Sequence, residues 1–321
     1  MSDATRSDSA APFAGSAQEP GPDGRTVSVR NPVRQLAVAV WKPLQYLARF
    51  LWRDKSALVG LVLIVFILLF SFVGPIFYPT DQVHTNLTGI NLPPSSLHLL
   101  GTDDLGYDVL GRIMLGGQSS MEIGLAVAVL ATTVGAIWGS LAALTAGVLD
   151  TLMMRVVDVL LAIPALFIII FLATVARPSL WSLIGVIAFV SWLVPARLVR
   201  GESLSIRTLP FVEASRRFGA RQPWILRRHI LPNAVGVIVV NATFQVADAV
   251  LILAYLSFLG FGLPPPAPSW GGILAEGLNN MFNGYWWEIY PAGVIIVITV
   301  IAFNLLGDSL RDLVDARLRG R

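Results

Sequence analysis

Few residues in this chain are equipped for chemistry. It has three histidines, His84, His98 and His229, no cysteine, and only two lysines, Lys42 and Lys55. A phosphate-binding loop needs a Gly-Lys-Ser/Thr step whose lysine reaches the terminal phosphates. Lys42 follows Trp41 and Lys55 follows Asp54, so the chain holds no such loop and is not itself a P-loop ATPase. There is no His-Glu-x-x-His pair to bind a catalytic zinc and no Gly-x-Ser-x-Gly elbow to present a serine. The absence of cysteine excludes disulfides, thiolate nucleophiles and iron-sulfur ligation within the chain. No enzymatic centre, metal site or resident cofactor is expected.

The segment Glu213 to Asn233 differs in kind from the other loops. Pro210, Pro223 and Pro232 should cut it into short pieces, since proline starts helices and ends those that run into it. Two short helices are expected, about Phe211 to Phe218 and Pro223 to Ile230. Gly219 fits the left-handed position after the first, and Pro223 the first turn of the second. Phe211, Val212, Phe218, Trp224, Ile225 and Leu226 are apolar within a basic segment and need cover. Docking into a partner's groove and folding back onto helix ends satisfy that need equally well.

The elements that must position this segment are membrane helices. Of 321 residues, 55% are apolar and 13% charged, where a soluble domain has about 25% charged. A bilayer span takes about 20 apolar residues, and six such windows occur: 57–77, 123–147, 156–176, 180–196, 234–256 and 289–307. The fold class expected is all-α, a polytopic membrane protein of six helices. Basic residues stay on the cytoplasmic side. With the amino terminus inside, 21 fall inside and only Arg112 and Arg177 outside, so both termini are expected to be cytoplasmic. That asymmetry accounts for the basic residues without any nucleic acid. Residues 1–56 read as a disordered tail followed by an amphipathic interfacial segment. The first span is 57–77, an extracytoplasmic loop follows over 78–118, a five-helix core over 119–308 contains the basic loop 197–232, and 309–321 form a cytoplasmic tail.

The run Glu213-Ala214-x-x-x-x-Gly219, then His229-x-Leu231-Pro232, resembles the "EAA" loop of binding-protein-dependent ABC importer permeases. Leu100-Gly101-Thr102-Asp103-Asp104-Leu105-Gly106-Tyr107-Asp108 is similar to the periplasmic signature of the dipeptide, oligopeptide and nickel permeases. So are Ser257 to Gly262 with Pro265 to Gly272, and Gly307-Asp308-Ser309-Leu310-Arg311-Asp312. The resemblance covers nearly everything from Ala57 onward. It departs at Ser215, where a second alanine is usual, at Tyr107, often arginine, and at Ala316, commonly proline.

The resemblance implies a prokaryotic plasma-membrane permease working by alternating access. Its partners would be a second homologous permease subunit, two ATP-binding subunits carrying ATP and magnesium, and an extracytoplasmic solute-binding protein. It implies that Phe211, Glu213, Ala214, Ser215, Phe218, Gly219, Trp224, His229, Leu231 and Pro232 belong to the loop that docks an ATPase. The outer loop bearing Phe261, Pro265 and Trp270 would sit beneath the binding protein as an external gate, or simply cap the bundle.

Asp248 falls within the fifth span, where a carboxylate is costly unless it faces a cavity or a partner, so it either lines the path or pairs with a neighbouring helix. Asp158 has Arg155 on the same helical face and should pair with it. Pro164 should kink the third span. The small residues from Gly124 to Gly147, with a Gly135-x-x-x-Gly139 step, allow close helix approach within or between subunits. Peptides are preferred over nickel as solute by subfamily frequency alone. The rival reading is a gradient-driven secondary carrier using Asp248 and Asp158; it leaves the apolar positions of Glu213 to Pro232 without a role.

Overall fold

A computed structural model describes residues 54–145 and 147–319, together with two short strands, β1 (Glu19–Pro20) and β2 (Thr26–Val27), which pair antiparallel. The chain forms two units, Met1–Arg53 and Asp54–Arg321. The tail and interfacial segment expected over the first unit lie, apart from those strands, outside the described residues.

The second unit is helical. Helix α1 (Lys55–Phe72) is capped by Asp54, whose carboxylate accepts from the Ser56 and Ala57 amides at 2.9 and 3.3 Å. A one-turn helix, α2 (Gly74–Phe77), continues it. Helix α3 (Val109–Thr145) starts well before the apolar window does, because Asp108 caps it: the Gly111 amide donates to Asp108 Oδ1 at 2.9 Å. At 1.5 Å per residue its 37 residues span about 55 Å, against a hydrocarbon layer of about 30 Å. Helices α4 (Gly147–Ala162) and α5 (Ala165–Val175) follow, then α6 (Leu180–Ser191) and α7 (Leu193–Arg207).

The loop segment carries α8 (Pro210–Arg217) and α9 (Gln222–Ile225). A π-turn (Leu226–Ile230) leads from α9 into α10 (Leu231–Phe258). The bundle closes with α11 (Trp270–Leu278) and α12 (Tyr290–Arg319).

Among the described residues, four helical stretches are long and apolar enough to cross a membrane, and six spans result if each of two bent pairs counts as one. The α4/α5 pair turns by 85° and the α6/α7 pair by 43°. The kink expected at Pro164 within the third span, 156–176, is a break of almost a right angle. The break falls at Ile163–Pro164, since proline has no N–H to donate and excludes the preceding residue from helical geometry.

Helix α3 is the spine of this unit. Val109, Ile113, Met121 and Ala128 pack in one core cluster with α1, α10, α11 and α12; Ile123, Val127, Ala131 and Ala142 pack in a second with α4 to α7 and α10. The glycine step serves packing inside this chain. A Cβ on Gly135 would lie 2.5 Å from Pro195 Cβ, and one on Gly139 would overlap the Ala196 carbonyl oxygen, so α7 rests directly on the α3 backbone. Farther along, α7 is tied to α4 by ion pairs. Arg200 grips Asp150 with two hydrogen bonds of 2.7 and 2.8 Å, and Arg197 reaches Asp158 at 2.6 Å. Asp158 thus pairs across to α7 rather than with Arg155 along its own helix.

Gly139→Val should lower the thermal midpoint of the purified chain in detergent, because overpacking of this kind costs about 1–3 kcal/mol. Gly185→Ala, at a helix position with open space around it, should leave the midpoint unchanged or slightly raised.

Candidate functional site

At one end of the bundle the loop folds as its prolines and glycine require. Pro210 opens α8 and Glu213 lies in its first turn, where a carboxylate complements the helix dipole. Gly219 ends it at φ +83°, with the Gly219 amide donating to the Arg216 carbonyl at 3.0 Å. A Cβ there would meet nothing within 4 Å, so the backbone angle alone demands glycine. Pro223 stands in the first turn of α9. Pro232 does not end a helix as expected: Gln222–Phe258 is one continuous helical run. The π-turn makes this possible, with the Leu231 amide donating back to Leu226 O, and Asn233 Nδ2 donates to His229 O at 2.6 Å.

The apolar residues of the loop divide into two sets. Val212, Ile225 and Ile230 are buried with Leu144, Ile206 and Ala234, fixing the loop to the ends of α3, α7 and α10. Phe211, Trp224 and Phe218 point outward, 43%, 50% and 91% exposed. Ser215, Phe218, Gly219, Ala220, Arg221 and Trp224 line an open groove of about 490 Å³. Trp224 also borders a second groove with Pro223, Arg221, Arg227 and Arg228. The face is apolar with a basic rim.

His229 holds the two halves of the loop in register. Its ring lies 5.4 Å from that of Phe211 and 5.1 Å from that of Trp224, and Nε2 is 3.0 Å from Ser215 Oγ. The single hydroxyl proton of Ser215 is donated to the Phe211 carbonyl at 2.8 Å, so Ser215 Oγ accepts from an Nε2–H on His229. Alanine at 215 would lack this link, which gives the departure from the "EAA" pattern a structural role. Glu213, Ala214 and Pro232 are exposed and Leu231 is half-buried.

At the opposite end the Leu100–Asp108 motif forms a tight clamp. Asp108 accepts from Tyr78 Oη at 2.8 Å and contacts His98 Nδ1 at 2.9 Å, besides capping α3. Asp103 accepts from the Leu105 and Tyr107 amides at 3.0 and 2.8 Å and faces Arg112 Nε at 3.3 Å. Arg112 Nη2 donates to Glu276 of α11 at 2.6 Å, and its guanidinium lies 4.8 Å from the centre of the Tyr107 ring. Gly101 and Gly106 adopt φ of +74° and +78°, and a Cβ on Gly106 would overlap Asn86 O. Burial pushes the Asp103 carboxyl above its ordinary range, with Arg112 opposing. Exposed Asp81 is held at about 2, chiefly by the Val83 and His84 amides.

Trp270 lies in the core. It is 1% exposed, and its indole N–H donates to Ile113 O at 2.9 Å, anchoring the outer loop to α3. Phe261 is half-buried and Pro265 exposed; Pro265 borders a cavity of about 460 Å³ shared with Arg112, Glu276 and Asn279. Arg112 and Glu276 were not legible as partners, being far apart in sequence; the one arginine of the 78–118 loop, close to Asp103, Asp104 and Asp108, was the available signal. Among the described residues no group of three or more His, Cys, Asp or Glu side chains is placed to hold a metal ion.

Comparison with known proteins agrees with this architecture. The family described as binding-protein-dependent transport system inner membrane component matches residues 131–320, and the N-terminal TM domain of oligopeptide transport permease C matches residues 42–94. The chain belongs to the first of these families and is an inner-membrane permease of the dipeptide/oligopeptide/nickel class of ABC importers. It is 36% identical over 292 residues to the dipeptide transport system permease protein DppC of Bacillus subtilis, covering 91% of this chain and 89% of that protein. It is 39% identical over 287 residues to the oligopeptide transport system permease protein OppC of the same organism, covering 89% and 93%. The fold is similar to that of the MetNI methionine ABC transporter in inward-facing conformations, with a TM-score of 0.51 at 22% identity, covering 62% of this chain and 93% of that one. The permease C match begins at Lys42, so the likeness reaches upstream of Ala57, from which the resemblance was expected to run.

Arg112→Met should destabilise the outer clamp by about 3–5 kcal/mol, since it strands the buried Asp103 carboxylate. Without its cation, the Asp103 carboxyl rises further and the folded state binds its proton more tightly. The deficit should therefore shrink as pH falls from 7 toward 4, as read from thermal unfolding at each pH.

Proposed function

We propose that this chain is one of two homologous permease subunits of an importer that carries di- or oligopeptides, driven by two ATP-binding subunits and supplied by an extracytoplasmic solute-binding protein. The relatives named for dipeptide and oligopeptide transport support the substrate class. Segment 197–232 docks one ATP-binding subunit, which carries ATP and magnesium, and both termini lie on that cytoplasmic side. Nucleotide-driven closure of the ATPases moves the docked loop. Movement of the attached helices then turns the cavity between cytoplasm and binding protein.

One observation carries the docking assignment: the loop divides its apolar residues between anchor and outward face. Val212, Ile225 and Ile230 fix it to three long helices, while Phe211, Phe218 and Trp224 remain exposed beyond the bundle end. A large exposed aromatic at a loop tip, flanked by an open apolar groove, suits burial in a partner's cleft. Asp248 is exposed on its span and is assigned to the path.

Co-purification in mild detergent tests this. Wild type should retain both ATPases, and Phe218→Asp or Glu213→Arg, both at exposed positions, should lose them while keeping the wild-type thermal midpoint. Equal retention by the folded variants would refute the docking role.

A further inference from the structure

Among the described residues Glu288 is the most deeply buried carboxyl, 3% exposed. It ends the short turn Trp286–Glu288 that leads into α12. Two contacts press this turn into the outer clamp. The Trp287 indole N–H donates to Thr102 O at 3.2 Å, and a Cβ on Gly277 would lie 2.7 Å from the Glu288 carbonyl oxygen, so the α11 backbone rests on the turn.

Glu288 borders a cavity of about 10 Å³, room for about one water. The charged groups that share it are Asp103 and Asp104 on the Leu100–Asp108 loop, Arg112 on α3 and Glu276 on α11; α12 adds none. Four carboxyls therefore surround one guanidinium, and they are not equally provided for. Glu276 takes Arg112 Nη2 at 2.6 Å, and Asp104 is half-exposed to water. Asp103 accepts two backbone amides and faces Arg112 Nε at 3.3 Å. Glu288 has a single neutral donor, Asn280 Nδ2 at 2.9 Å from Oε2. Its Oε1 is buried without a hydrogen-bond partner among the described residues, and so is Asp103 Oδ2. A carboxyl buried beside like charges, with neither a cation nor enough donors, favours its neutral form. These groups are not placed to hold a metal ion, so the charge is met by a proton.

We propose that Glu288 keeps its proton at neutral pH and donates it across the cavity toward Asp103 Oδ2, and that this proton helps to close the outer clamp. The acid supplies the donor that Asp103 Oδ2 lacks, with room for one bridging water. When the proton leaves, four carboxylates face one guanidinium, and their repulsion pushes the turn away from the loop and α11. The clamp is tighter in acid. The unfolded chain releases the Glu288 proton near its ordinary value, roughly pH 4.3, while the folded chain retains it. Above that pH the folded state binds more protons, so this contribution to stability falls as pH rises.

Thermal unfolding of the purified full chain in detergent, followed from about pH 5.5 to about pH 8.5, tests this. Glu288→Gln mimics the protonated acid at every pH. It should match the wild-type midpoint at the acid end and stand about 2–4 °C above it at the alkaline end. Asp104→Asn, at a half-exposed position, removes one repelling charge and should make the wild-type fall with pH smaller. Parallel curves for wild type and Glu288→Gln, or a Gln variant that does not fold at the acid end, would overturn the inference. So would an unchanged fall in Asp104→Asn. A wild-type midpoint that calcium or sodium chloride raises at the alkaline end, with the Gln variant unresponsive, would also overturn it by placing a metal cation where the proton is assigned.

Discussion

The close approach of α7 to α3 sets the geometry of the whole helical unit. Gly135 and Gly139 let the α7 backbone rest where any side chain would stand, and Gly124 does the same for Val250 of α10. Between apolar helices in lipid no hydrophobic force pulls the pair together, so tight van der Waals contact and a few polar bonds must do it. The polar bonds follow the same line. Arg207 donates to Ala143 O at 2.8 Å, while Arg197 and Arg200 tie α7 to α4. With α7 seated, Ile206 meets Leu144, and the basic loop has a floor to pack on.

The two ends of α3 are built from different physics. Its start is held by charges and directed hydrogen bonds: Asp108 caps the helix, Arg112 links Asp103 to Glu276, and Trp270 bonds to Ile113. Its far end is held mainly by apolar burial, with Leu144 against Val212, Ile225 and Ile230, beside the Arg207 bond to Ala143 O. Directed bonds fix a clamp in one arrangement. An apolar cluster of aliphatic side chains tolerates small shifts of the loop it anchors while keeping the attachment.

Much of this was legible in the sequence because local rules act there. Proline and glycine chemistry set the first short helix, the left-handed turn at Gly219 and the start of the next helix at Pro223, and apolar windows located the membrane helices. Four ordered motifs carried the family. What escaped depended on contacts across the fold. The length of α3 was hidden because Arg112 and the glycines at 111, 116 and 117 lower the hydropathy of its first turns, which neighbouring elements bury. Asp158 chose Arg197 on another helix over Arg155 beside it, and Pro232 was absorbed by a π-turn.

The central claim is that solute movement through this subunit is driven by ATP through docked partners. Uptake of a labelled dipeptide into proteoliposomes holding this chain, its homologous permease and the two ATPases, with the binding protein supplied at the face where solute enters, tests it most directly. The account predicts accumulation that requires ATP at the ATPase face and persists when proton and sodium gradients are collapsed by ionophores. Accumulation driven by either gradient without ATP would contradict it.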